Sequence, residues 1–170
     1  MKYLTIFFST LFILFNLSFS QDLDFNQSQQ QAVYFIDSAS VDGESLNSDD
    51  FVLARTEDGL LVGASQFNGY GTDLVIMGRD LDIVIDDESY VICETTGTCD
   101  YPIQGDSVYL SIYDSSSSQE FLPFSILNDV TAESTTLQQS VIFSTLINED
   151  FLSISIVDDC DGVLGGDLNT

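Results

Sequence analysis

Ser107-Val108-Tyr109-Leu110-Ser111-Ile112-Tyr113-Asp114 is the stretch whose reading decides the fold. Val108, Leu110 and Ile112 fall on one side of an extended chain, and Tyr109, Ser111 and Tyr113 on the other. That two-residue period belongs to a strand with one face in a core. The serine run at 115–118 is then a hairpin tip, and 121–127 the returning strand. Upstream, short runs rich in Val, Ile, Leu and aromatic residues recur at 32–37, 51–55, 60–64, 74–77, 81–85 and 89–93. Downstream, 141–147 and 151–157 close the set, with Leu152, Ile154 and Ile156 on one side. Glu57-Asp58-Gly59, Asn68-Gly69-Tyr70-Gly71 and Asp86-Asp87-Glu88 are the breaks between them. Short strands at near-regular spacing predict an all-β fold, a two-sheet antiparallel β-sandwich of immunoglobulin-like kind, over 30–157. Residues 21–29 read as an irregular lead-in, 131–140 as a weak segment that suits a short helix, and 158–170 as an acidic tail.

The first twenty residues predict the compartment. Met1-Lys2 begins with a positive charge, and Tyr3 to Phe19 is an apolar run. Ser18-Phe19-Ser20 then puts small residues where a signal peptidase reads them, so cleavage before Gln21 is expected. A retained membrane anchor is the alternative, the run being near the lower limit for spanning a bilayer. The expectation is a chain that is secreted or at the cell surface, in an oxidising, ion-rich exterior.

Charge narrows the partners. The chain carries 28 acidic residues against 3 basic ones and no histidine. Loss of the first twenty residues removes Lys2 and no acid, leaving Arg55 and Arg79 as its cationic side chains. Nucleic acid and anionic membrane surfaces are excluded, because both require neutralisation of phosphate by Lys and Arg. The acidity reads as a solvated surface suited to saline water. It is also compatible with Ca²⁺, which takes hard oxygen ligands.

Enzymatic chemistry is not expected. Without histidine there is no Ser-His or Cys-His nucleophile system, and the processed chain has no lysine for a Schiff base. Paired carboxylates serve glycoside hydrolysis, but among so many acids some pair always lies at a suitable separation.

Cys93 and Cys99 flank Glu-Thr-Thr-Gly-Thr, and in an oxidising compartment they predict a local disulfide. With no histidine and few thiols, a soft-metal site is the weaker alternative. Cys160 is the odd cysteine. It implies an intermolecular bond, a free thiol or a mate further along the polypeptide.

The tail carries a resemblance. Asp159-Cys160-Asp161-Gly162-Val163-Leu164-Gly165-Gly166 resembles Cys- and Gly-rich linkers of secreted bacterial surface proteins. Gly166-Asp167-Leu168-Asn169 is similar to the opening of a dockerin-type, EF-hand-like calcium loop. The resemblance implies Asp167 and Asn169 as the first two side-chain ligands, with the next ones beyond Thr170. Asp159 and Asp161 match the middle of such a loop, although Val157 stands at its first-ligand position. Calcium wants six to eight oxygens, so neither loop is complete in this chain.

The body carries a second resemblance, over about residues 29 to 127. Ser48-Asp49-Asp50-Phe51-Val52-Leu53-Ala54, then Gly59-Leu60-Leu61-Val62-Gly63-Ala64, resembles a recurring β-sandwich module of secreted bacterial proteins. Met77-Gly78-Arg79-Asp80 and the Gly105 to Asp114 stretch match its later elements. Ser48, Arg55 and Phe67 depart from its usual Gly, Phe and Trp. The resemblance implies a non-catalytic part of an extracellular protein, a structural or adhesive spacer whose partner is an extracellular protein or polysaccharide. A carbohydrate-binding module is the other reading, with Tyr109, Tyr113, Tyr70 and Phe67 as stacking residues.

Overall fold

The computed structural model of the chain describes residues 23–85, 88–122, 125–128, 140–145 and 151–156. The expected signal peptide, the 131–139 segment, Cys160 and the acidic tail lie outside the described residues. So do the proposed calcium ligands Asp159, Asp161, Asp167 and Asn169.

The fold is all-β, with little helix. Its strands are β1 (Gln31–Val41), β2 (Glu44–Ser45), β3 (Phe51–Arg55), β4 (Leu61–Gln66), β5 (Thr72–Met77), β6 (Ile83–Ile85) and β7 (Glu88–Tyr90). After a one-turn helix α1 (Ile92–Thr96) come β8 (Ser107–Asp114), β9 (Gln119–Phe121), β10 (Ser125–Asn128), β11 (Ser140–Ile142) and β12 (Phe151–Ile156). One five-stranded sheet runs β10-β12-β1, with β5 and β2 sharing the other edge of β1. The second runs β11-β8-β3-β4, with β9 beside β11 on the same edge of β8. β6 and β7 form a separate two-stranded ribbon. Pairing is antiparallel throughout except between β1 and β12, which run parallel from Phe35↔Phe151 to Val41↔Ile156.

Alternation puts both five-stranded sheets into one buried cluster. Tyr34, Ile36, Leu74, Ile76, Leu152 and Ile154 come from the first sheet, and Val52, Val62, Val108, Leu110 and Ile112 from the second. The expected inward face of β8 is therefore observed. Where Gly63 on β4 passes β5, a Cβ would lie 2.5 Å from the Val75 carbonyl oxygen, so only glycine lets these strands approach so closely.

Several boundaries differ from expectation, each for a physical reason. β1 does not stop at residue 37 but continues to Val41, because β12 supplies a hydrogen-bonding partner along its second half. A register shift between Ile36 and Ser38 makes Asp37 the extra residue of a bulge, so that Ala39 rather than Ser38 is buried. The Asp42-Gly43 pair, both at positive φ, is the two-residue turn of a β1–β2 hairpin. The expected strand over 121–127 is two strands in different sheets, β9 and β10. The expected strand over 89–93 ends at Tyr90, and Cys93 sits on α1, whose last turn is closed by Gly97 in the left-handed region.

Candidate functional site

The molecule has two poles. At one, Gly78 N donates to Gln30 O and Arg79 N to Pro102 O, tying the end of β5 to the lead-in and to the loop before β8, and Phe143 N donates to Asp106 O, tying the chain after β11 to that same loop. This is the disulfide pole. At the other, Val41, Glu44 and the adjacent Leu46 on the side of the first sheet, and Asp50, Asp114 and Ser116 on the side of the second, line a shallow depression.

The lead-in is a strap at the disulfide pole. Leu23 and Phe25 pack against Leu53, Leu61 and Tyr113 on the outer face of the second sheet. Asn26 N donates to the Tyr101 hydroxyl at 2.7 Å, and Asn26 Nδ2 to Gly97 O at 2.9 Å. Ser28 Oγ and Gln29 N both donate to Asp80 Oδ1, at 2.9 and 2.8 Å. Asp80 is buried, and Thr98, wholly buried inside the disulfide loop, donates to its second oxygen at 3.4 Å. Burial by itself raises the Asp80 pKa. The Gln29 amide and the Thr96, Ser28 and Thr98 hydroxyls outweigh that and hold the carboxyl below its ordinary value.

The predicted disulfide is present, Cys93 to Cys99, with 4.7 Å between Cα atoms. Cys99 borders a cleft of about 520 Å³ between the β3–β4 turn and the loop preceding β8, lined also by Asp58, Arg79, Asp100, Tyr101 and Asp106. One guanidinium among three carboxylates can hold a polar ligand by charge and hydrogen bonds. The set offers no nucleophile paired with a base. No group of three His, Cys, Asp or Glu side chains is gathered closely enough for a metal ion among the described residues. The other arginine, Arg55, is committed. Its Nε and Nη2 grip Glu120 at 2.7 and 2.8 Å, and Ser111 Oγ donates to the same carboxylate.

The four aromatic residues expected to stack on sugar do not share a surface. Phe67 is buried in the main cluster, and Tyr113 is buried under the lead-in strap. Tyr109 is half-buried near the disulfide pole, where it lines the wall of an adjoining cleft. Tyr70 stands 77% exposed in the β4–β5 turn, toward the opposite pole.

The strands expected over 81–85 and 89–93, around the acidic turn, are β6 and β7, which pair with each other but, among the described residues, with neither five-stranded sheet. Their side chains are correspondingly exposed: Leu81 is 63%, Val84 70%, and Ile83 and Tyr90 each 45% exposed. The neighbouring acids Asp82 and Glu88, with Cys93 close behind, are the local signals that separate them from core strands. Comparison of the chain with protein-family models, curated protein sequences and solved structures gives no match.

Proposed function

We propose that this is a non-catalytic, load-bearing module of a secreted or cell-surface protein. In this reading the two sheets are the layers of an immunoglobulin-like β-sandwich that follows a cleaved signal peptide. The observation that carries it is the parallel pairing of the first and last described strands. Because β1 and β12 run the same way, the chain arrives at the disulfide pole beside Gln31 and leaves at the opposite pole beside Ile156. Ten residue steps of β1 separate the poles by about 33 Å. A pull along the chain therefore loads the β1–β12 hydrogen bonds together, in shear, where a hairpin-like arrangement would open them one at a time. The local disulfide supports an oxidising compartment. The scattered aromatics lend the sugar-stacking reading no common platform.

Single-molecule force spectroscopy tests the proposal. One sample is pulled through handles at Gln31 and Ile156, which lie at opposite poles, and the other through handles at Gly43 and Ile156, which lie at the same pole. The first geometry should rupture in one event at clearly higher force than the second. Equal forces, or a lower force in the first geometry, would refute the load-bearing role.

A further inference from the structure

We propose that the β6–β7 ribbon is a docking element for a basic, extended segment of another protein, which adds to it as a third strand. Ile83 and Tyr90 are cross-strand partners, and Val84 lies opposite Ser89, so apolar side chains stand exposed on both faces. Among the described residues neither strand pairs with anything but the other, which leaves backbone donors and acceptors along the outer edges. An isolated two-stranded hairpin is marginal in water, but this one is held at both roots. Before it, buried Asp80 is fixed by Ser28 and Gln29; after it, buried Cys93 is fixed by its disulfide. The fold thus spends its disulfide on presenting an apolar ribbon to solvent.

Charge identifies the occupant. Asp82 and Glu88 flank the apolar residues, and the Tyr90 hydroxyl donates to Glu88 Oε2 at 3.0 Å. An exposed tyrosine ring beside a carboxylate suits a Lys or Arg side chain, which gains from both the ring face and the opposite charge. A second copy of this chain brings acids against acids: its Arg55 is already held by Glu120, and its Arg79 lies among Asp58, Asp100 and Asp106 in its own cleft. Strand addition supplies affinity through the backbone and specificity through alternate side chains. The fitting partner alternates apolar with basic residues.

Fluorescence anisotropy at about 0.15 M salt, where long-range attraction is largely screened, tests this with three synthetic decapeptides: alternating Lys-Val, alternating Lys-Ser and alternating Glu-Val. Lys-Val should bind, Lys-Ser at least ~10-fold more weakly, and Glu-Val not at all. The double substitution Ile83→Ser, Val84→Ser should weaken Lys-Val binding by ~10-fold or more, the loss expected when about 1.4 kcal/mol of contact is removed, while Tyr70→Ser leaves it unchanged. Amide exchange at residues 83–85 and 88–90 of the unaltered protein should slow when the Lys-Val peptide is added. Equal binding of Lys-Val and Lys-Ser, indifference to the double substitution, or unchanged exchange would each overturn the proposal. So would a dimer in sedimentation that the double substitution abolishes. None of these outcomes depends on the force experiment, so either reading can fail alone.

Discussion

Replacing Asp80 by Asn keeps the shape of the side chain and removes its charge, which isolates what the carboxylate does at the disulfide pole. Oδ1 accepts from Ser28 Oγ at 2.9 Å and from Gln29 N at 2.8 Å, and an amide oxygen can accept both. A hydrogen bond to a charged group contributes about 1.5–3 kcal/mol, against about 0.5–1.5 for a neutral one. Two such bonds put the loss at roughly 2 kcal/mol near pH 7. The sign of the pH dependence follows from the depressed folded-state pKa. The carboxylate's contribution is complete above its unfolded-state value, about 3.9, and disappears as pH falls through the lower folded-state value. Urea unfolding of both proteins across pH 7 to pH 2 measures this. The other carboxylates titrate alike in the two, so the difference between curves belongs to Asp80. It should be largest at pH 7 and shrink toward zero in acid. A difference that is constant with pH, or below about 0.5 kcal/mol at pH 7, refutes the claim that charge-assisted bonds anchor the strap.

Two further outcomes follow from the packing. Replacing Cys93 and Cys99 together by Ala should cost roughly 2 kcal/mol in urea unfolding, the loop-closure entropy for a separation of 6 residues, with the β-sheet circular dichroism retained. Tyr113→Ala should cost about 3–5 kcal/mol, as for a buried aromatic, whereas Tyr70→Ala should stay within about 0.5 kcal/mol; similar losses at both would contradict the burial described.

Strand grammar made the all-β class legible, because alternation such as Val108-Leu110-Ile112 is imposed by the pleat itself. The disulfide was equally legible, since two cysteines so close in sequence have few other uses in an oxidising compartment. What stayed hidden depended on non-local pairing. The 83–85 run, Ile-Val-Ile, is richer in β-branched residues than the 152–154 run, Leu-Ser-Ile, yet Ile154 is buried and Ile83 is half-exposed. The difference lies in β1 and β10, which flank β12, while among the described residues β6 pairs with β7 alone. Period says that a strand forms; it does not say what covers it. The same limit applied to Tyr113, whose outward direction was read correctly but whose cover, Leu23 and Phe25, comes from a lead-in with no regular structure.

The acidity takes on a further meaning once the poles are known. Asp42, Glu44, Asp50 and Asp114 gather at one pole, and Asp58, Asp100 and Asp106 at the other, with Arg79 alone among them. Modules of this kind joined in line would face each other acid to acid. Such contacts repel within about one Debye length, roughly 8 Å at physiological salt, so neighbours would be held apart and a tandem chain kept extended. Under the proposed role, repulsion at the ends and shear resistance along β1 and β12 would act toward the same result, a spacer that holds its length. The ribbon is set at the disulfide pole, beside the strap rather than along either five-stranded sheet. A partner that brings Lys or Arg to it would neutralise acids at that pole alone, and so would attach the module by one end while leaving the other end to repel.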